Sequence, residues 1–113
     1  MKLSDYSVNS PPADTSLVPA EQRAELLAQI PKWQIANKDA VDQLQRCFKF
    51  ANFVDAMQFA NAITEIAEQA DHHPTLVINW GEVCVCWWSH SLRGLHFNDF
   101  VMAAKTQQIY NCQ

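Results

Sequence analysis

TLVINWGEVCVCWWSH, residues 75–90, decides the fold. Its two halves, 75–80 and 83–90, are rich in β-branched and aromatic residues, with only Gly81-Glu82 between them. Short runs of this composition around so short a turn predict a β-hairpin. Trp87 and Trp88 are adjacent, so on a strand they face opposite sides: one into a core, the other outward or into a subunit contact. A second strand pair is expected upstream, from WQIA (33–36) through a turn at NKDA (37–40) to VDQLQRCFKF (41–50). Alternation in that last run is imperfect, because Arg46 shares a side with Leu44, Phe48 and Phe50. It predicts a partly exposed strand or a bulge.

Between the hairpins, residues 53–70 read as the main helix. Asn52 suits its N-cap, and Asp55 falls in the first turn, where a carboxylate is favoured. Phe53, Ala56, Ala60, Ile63 and Ala67 recur at helical spacing, while Met57, Phe59 and Ile66 widen the apolar surface. A stripe wider than one core face predicts packing on another subunit. Residues 20–30 read as a shorter helix, with Pro19 in its first turn and Pro31 ending it. Gly94 breaks the chain before a last helix over about 97–110. The order helix, two strands, long helix, two strands, helix predicts an α+β fold: a four-stranded antiparallel sheet with helices packed on one face. Residues 1–16, polar and carrying Pro11-Pro12, read as an extended or mobile leader, and 17–113 as a single domain.

The chain has 113 residues, 49% of them hydrophobic and 18% charged, so it can bury a core. A formal net charge of -4 and the lack of any basic run argue against nucleic-acid binding. No run approaches the ~20 apolar residues of a membrane span, and no apolar core of signal-peptide length stands near Met1. A cytoplasmic protein is expected. Cys84 and Cys86 are two apart, roughly 7 Å along a strand, an awkward spacing for a disulfide. The four cysteines (Cys47, Cys84, Cys86, Cys112) therefore read as free thiols.

Chemistry concentrates around three of the four histidines. His72-His73 lie between the long helix and the hairpin, followed by Pro74, and His90 ends the hairpin's second strand. Hairpin geometry brings residues near 74 and 90 together, so the three imidazoles can meet at one sheet edge. Taken singly, each histidine reads more readily as a solvated or capping residue, and only the convergence of three brings the catalytic reading level with it. Glu68, Asp71 and Asp99 are the carboxylates near them in sequence. Glu68 sits on a last helical turn, where the helix dipole does not favour it, and Asp99 reads as an ordinary helix-start residue. His72, His73, His90, Asp71 and Cys84 or Cys86 are metal-ligand types, but H-E-x-x-H and paired C-x-x-C spacings are absent, so no metal is expected. No nucleophile elbow or Gly-rich phosphate loop occurs. Trp80, Trp87 and Trp88 could wall a flat heterocycle or serve as core.

Glu68, His72-His73-Pro74, Trp80, His90 and Asp99 make seven positions spaced over 32 residues. This spacing resembles the signature of the pterin-4a-carbinolamine dehydratase family. The resemblance extends from about residue 20 to 110, including Phe48-Lys49-Phe50 and Gly94-Leu95. It implies an α+β fold assembled as homodimers or homotetramers. It also implies dehydration of 4a-hydroxytetrahydropterin to quinonoid dihydropterin and water, which recycles the cofactor of an aromatic amino-acid hydroxylase, itself a candidate partner. By the same resemblance His72, His73 and His90 are the catalytic histidines. Pro74 and the loop Ser89, His90, Ser91, Leu92 line the pterin site, with Glu68, Asp71 and Asp99 at or beside it. The chain departs from the family pattern at Arg93, where Gly is common, at His96, where Ser or Thr often caps the helix, and at Leu76, where many members carry Trp. These departures touch substrate fit and capping rather than the histidines.

The reaction suits the residues. A hydroxyl must leave C4a as water and a proton must leave N5, tasks for groups that titrate near neutrality, as unperturbed imidazole does at about 6.5. No cofactor is implied. The alternative from another class is a protein-binding or regulatory module, since some members of the family are dimerisation cofactors of transcription factors, and the wide apolar helix could serve such a role.

Overall fold

The computed structural model describes residues 2–8, 12 and 14–112. Its elements in chain order are α1 (Ala20–Leu27), β1 (Gln34–Lys38), β2 (Val41–Lys49), α2 (Phe53–Ala70), β3 (Thr75–Asn79), β4 (Glu82–Trp87) and α3 (Phe97–Asn111). The strands form one antiparallel sheet in the order β1-β2-β4-β3. The α+β architecture is the one expected from the order of segments.

The deciding hairpin forms, with its turn one residue earlier than expected. Asn79 pairs with Glu82, leaving Trp80-Gly81 as the loop. Glu82 is held in the ladder from both sides, since it also stands opposite Lys49 of β2 and pairs with it in charge. Gly81 is required by crowding: an added Cβ would lie 2.9 Å from the Phe50 carbonyl oxygen. In the other hairpin, Asp39 and Ala40 turn the chain with φ of 53° and 64°, the paired positive values of a type I′ turn. Arg46 causes no bulge. It pairs with Val85 in unbroken register, and its guanidinium lies 4.3 Å from the centre of the Phe48 ring and 5.5 Å from that of Tyr110. A cation stacked on aromatic faces can occupy a core-side position.

α2 has the expected bounds, with the Asn52 side chain accepting the Asp55 N–H at 2.8 Å. Its Ala56, Phe59 and Ile63 pack with Leu44, Phe48, Val83, Val85 and Trp87 of the sheet and Phe100 and Met102 of α3, all buried. Trp87 is the inward member of its pair and donates its indole N–H to Thr106 Oγ1 at 3.1 Å. α1 ends at Leu27, short of the expected residue 30. Tighter i→i+3 bonds from Gln29 to Leu26 and from Ile30 to Leu27 finish the turn and bury Ile30 completely.

Two expectations need correction. Part of the leader is neither extended nor loose, because Leu3–Asp5 form a 3-10 turn with Leu3 buried in the core. Tyr6 adds an edge contact to Phe97 of α3, ring centres 5.0 Å apart. An apolar residue near a terminus can anchor the chain when a helix offers it a groove. The second concerns the thiols. Cys47 and Cys84 stand opposite each other on β2 and β4 and are joined by a disulfide, leaving Cys86 and Cys112 free. Comparing neighbours along one strand missed a partner across the ladder. Among the described residues no helix is long and apolar enough to cross a membrane.

Candidate active site

The site begins with how α2 stops. Asp71 adopts a left-handed conformation (φ 48°, ψ 43°). Its N–H bonds the Glu68 carbonyl at 3.3 Å, and the His72 N–H reaches back to Ala67 at 3.1 Å. This pair of bonds is a Schellman closure, which satisfies the last carbonyls and swings the chain off the helix axis. Pro74 then restricts His73 to extended backbone and leads into β3. Because Thr75 pairs with Cys86, the chain at 72–74 comes out at the same sheet end as 88–90. There β4 gives way to a loop closed by an isolated bridge between Ser89 and Gly94, with Arg93 at φ 51°. The loop holds His90, Ser91 and Leu92 at its tip.

A cleft of about 280 Å³ opens where these segments meet, lined by Asp71, His72, His73, Ser89, His90, Ser91 and Leu92, together with Pro12 and Asn98. The three predicted histidines therefore do converge. Glu68, Pro74 and Asp99, also expected at the pterin, are not among the lining residues. Glu68 pairs with His73 Nε2, Pro74 shapes the backbone, and Asp99 supports His72.

Asp99 is the hub. It is fully buried in the first turn of α3. One carboxylate oxygen meets His72 Nε2 at 2.6 Å; the other accepts from Ser89 Oγ at 2.8 Å and from the His96 backbone N–H at 2.9 Å. One side chain thus ties the bridge after α2, the end of β4 and the start of α3. With the carboxylate accepting, Nε2 of His72 carries a hydrogen, so any proton exchange with a bound molecule falls to Nδ1. The ring is further fixed by stacking on Trp87, at 5.6 Å and 13°. His73 is held more loosely, since its side chain and that of Glu68 are 53% and 68% exposed. His90 stacks on Trp88 at 4.2 Å and 9°. Trp80 takes no part: it is 69% exposed at the hairpin turn, the opposite end of β3 and β4 from the cleft.

Sequence reasoning missed Pro12 and Asn98 at the cleft, and read His96 only as a departure at the cap position. Asn98 was within reach of it, next to Asp99 in a first helical turn. Pro12 carries no signal, because only the tertiary path of the leader brings it to the cleft. His96 does the capping work of the Ser or Thr it replaces: Nδ1 accepts the Asn98 N–H at 3.0 Å. Arg93 occupies a left-handed position where a side chain costs about 1–2 kcal/mol relative to Gly. Leu76 is half-buried opposite Val85 and packs against the core. Among the described residues one group of three ligand-type side chains is close enough to share an ion: Cys47, Glu82 and Cys84. Its two sulfurs are bonded to each other, and it contains none of the cleft residues.

The fold and cleft define a class: a small α+β protein whose sheet end presents histidines backed by carboxylates, suited to moving protons on a bound small molecule. Comparison with known proteins names the family. The model of the family described as pterin 4 alpha carbinolamine dehydratase matches residues 16–109, and the chain belongs to that family. A relative from Saccharophagus degradans, named pterin-4-alpha-carbinolamine dehydratase, is 49% identical over 98 residues, covering 87% of each chain. One of the same name from Vibrio vulnificus is 45% identical, covering 85% of this chain and 87% of its own. A solved structure of a transcriptional coactivator/pterin dehydratase from Brucella melitensis is similar with a TM-score of 0.76 and 29% identity, covering 84% of this chain and 99% of that one.

Proposed function

We propose that the chain is a hydro-lyase that dehydrates 4a-hydroxytetrahydropterins. The observation that carries this reading is the convergence of His72, His73 and His90 on one cleft, with Asp99 fixing the tautomer of His72. In the reaction the C4a–O bond breaks and the hydroxyl takes up a proton to leave as water. N5 gives up its proton, and a C4a=N5 double bond forms in the quinonoid dihydropterin. His72 is assigned as the acid at the hydroxyl: in its imidazolium form Nδ1 gives the proton with which the hydroxyl leaves as water, while Nε2 stays bonded to Asp99. His73 and His90 position the pterin or take the N5 proton. Asp71, Ser89, Ser91 and Leu92 are assigned to binding, with Glu68, Pro74 and Asp99 acting through the residues they hold.

The substrate of this reading carries the side chain of tetrahydrobiopterin, and its role is cofactor recycling for an aromatic amino-acid hydroxylase in phenylalanine metabolism. A homodimer or homotetramer and a cytoplasmic location belong to the same reading. The test is stopped-flow dehydration of synthetic 4a-hydroxytetrahydrobiopterin and its 6-methyl analogue, before and after EDTA treatment. The reading expects acceleration of both over buffer, a higher kcat/KM for the biopterin and no effect of chelation. Loss of activity restored by Zn²⁺ would replace it with a metal-dependent one. A regulatory role is the second reading, favoured by the similarity to the transcriptional coactivator/pterin dehydratase from Brucella melitensis.

A further inference from the structure

The cleft has one wall that lies outside the family match. Pro12 lines it, whereas the match begins at residue 16. Of the nine lining residues only Pro12 and Leu92 are apolar. Pro12 is therefore one of the two aliphatic side chains that a flat heterocycle can meet in this cleft.

Three contacts hold the chain that follows Pro12. The Asp14 carbonyl meets His96 Nε2. Leu17 lies over Gly94, where an added Cβ would come within 3.0 Å of it. The Val18 N–H donates to the Leu95 carbonyl at 2.9 Å. All three land on residues 94–96, between the loop that carries His90 and the helix turn that carries Asp99. His96 is built for the task. Because its Nδ1 accepts from the Asn98 N–H, its Nε2 must carry the hydrogen and donate to Asp14. Its own backbone N–H goes to Asp99, the carboxylate that holds His72.

We propose that Pro12 is part of the substrate site, an apolar wall against the pterin ring, and that His96, through Asp14, is the positioning residue that keeps it there. The inference rests on the dehydratase reading above. It makes ring binding depend on a segment before the matched region, and it assigns His96 a role beyond capping.

The test uses the full chain and two readouts: dehydration kinetics, and binding of unreactive 7,8-dihydrobiopterin followed by tryptophan fluorescence. Pro12→Gly is expected to raise KM and the dihydrobiopterin Kd about fivefold with kcat unchanged, the effect of losing one apolar contact made equally in ground and transition states. His96→Asn keeps an acceptor for the helix cap but is too short to reach Asp14, so it should raise KM and Kd by a similar factor with a normal melt. The double variant should bind no more weakly than His96→Asn alone, because both changes remove the same wall. An unchanged KM in Pro12→Gly, or factors that multiply in the double variant, overturn the proposal. A wild type that binds dihydrobiopterin without accelerating dehydration overturns the dehydratase reading instead, and the binding comparison still judges the wall. A wild type that neither binds nor accelerates removes both.

Discussion

Asp99 has no solvent contact and three hydrogen-bond partners, so its replacement removes more than a charge. In Asp99→Asn the amide places a donor group where two oxygens had been accepting, and at least one partner is left unpaired. The expected outcome is a fall in dehydration rate of roughly tenfold or more, mainly in kcat, with a stability loss of about 1–3 kcal/mol. Stopped-flow kinetics beside a thermal melt check it; a wild-type kcat with a normal melt would mean that His72 does not need its partner. At this scale the sequence was legible in part. The three histidines could be brought together from hairpin geometry alone, and Asp99 could be placed at a helix start. Its partnership with His72, 27 residues away, could not, because spacing along the chain does not say which side chains meet across a tertiary contact. The same holds for His96 and Asp14, 82 residues apart.

At the scale of elements, local rules served well where local physics decides. α2 has the expected bounds because its cap, its first-turn acid and its apolar period all agree. The turn of the second hairpin moved by one residue because Glu82 is claimed by two neighbouring strands, a fact of the sheet rather than of the turn. In the first hairpin Ala40 sits at φ 64°, where glycine is more comfortable. Ala40→Gly should stabilise the fold by about 0.5–1 kcal/mol, the relief of left-handed strain less the added freedom of the unfolded chain. A higher melting temperature checks this, and a lower one would mean that the turn is not strained. The cysteines are the clearest failure of strand-local reasoning. With Cys47 and Cys84 bonded, Ellman titration of native protein should find the exposed Cys112, denaturation without reductant should add the buried Cys86, and reduction should then release two more. Four thiols before reduction would restore the free-thiol reading.

For the whole molecule, one sheet face with α2 and α3 makes most of the core, closed by Leu3, Val18, Ile30 and Trp33, while the start of the long helix is left uncovered. Phe53 and Val54, at the start of α2, are 48% and 64% exposed. Of the apolar residues that widened the stripe in the sequence, Phe59 is fully buried and Ile66 packs against the core; Phe53 stays exposed beside Val54, and on this pair the expectation of self-association rests. Sedimentation at micromolar concentration should find a dimer or larger species; a stable monomer of 12.9 kDa would contradict it.

The central claim is that His72 and His90, brought to one cleft by the end of α2 and the end of β4, exchange the protons of a pterin dehydration. Its most direct test is the stopped-flow dehydration rate of 4a-hydroxytetrahydropterin, measured against buffer, for wild type, His72→Ala, His90→Ala and the double variant. Each single change should cost on the order of tenfold or more, with the larger loss at His72. The double variant should fall close to the uncatalysed rate without the losses adding; His90→Ala should melt like wild type, while His72→Ala, which takes a partner from the buried Asp99, should lose about 1–3 kcal/mol and still fold. Wild-type rates in both single variants, with normal melts, would contradict the account: the histidines would be structural, and the binding-module reading would take its place.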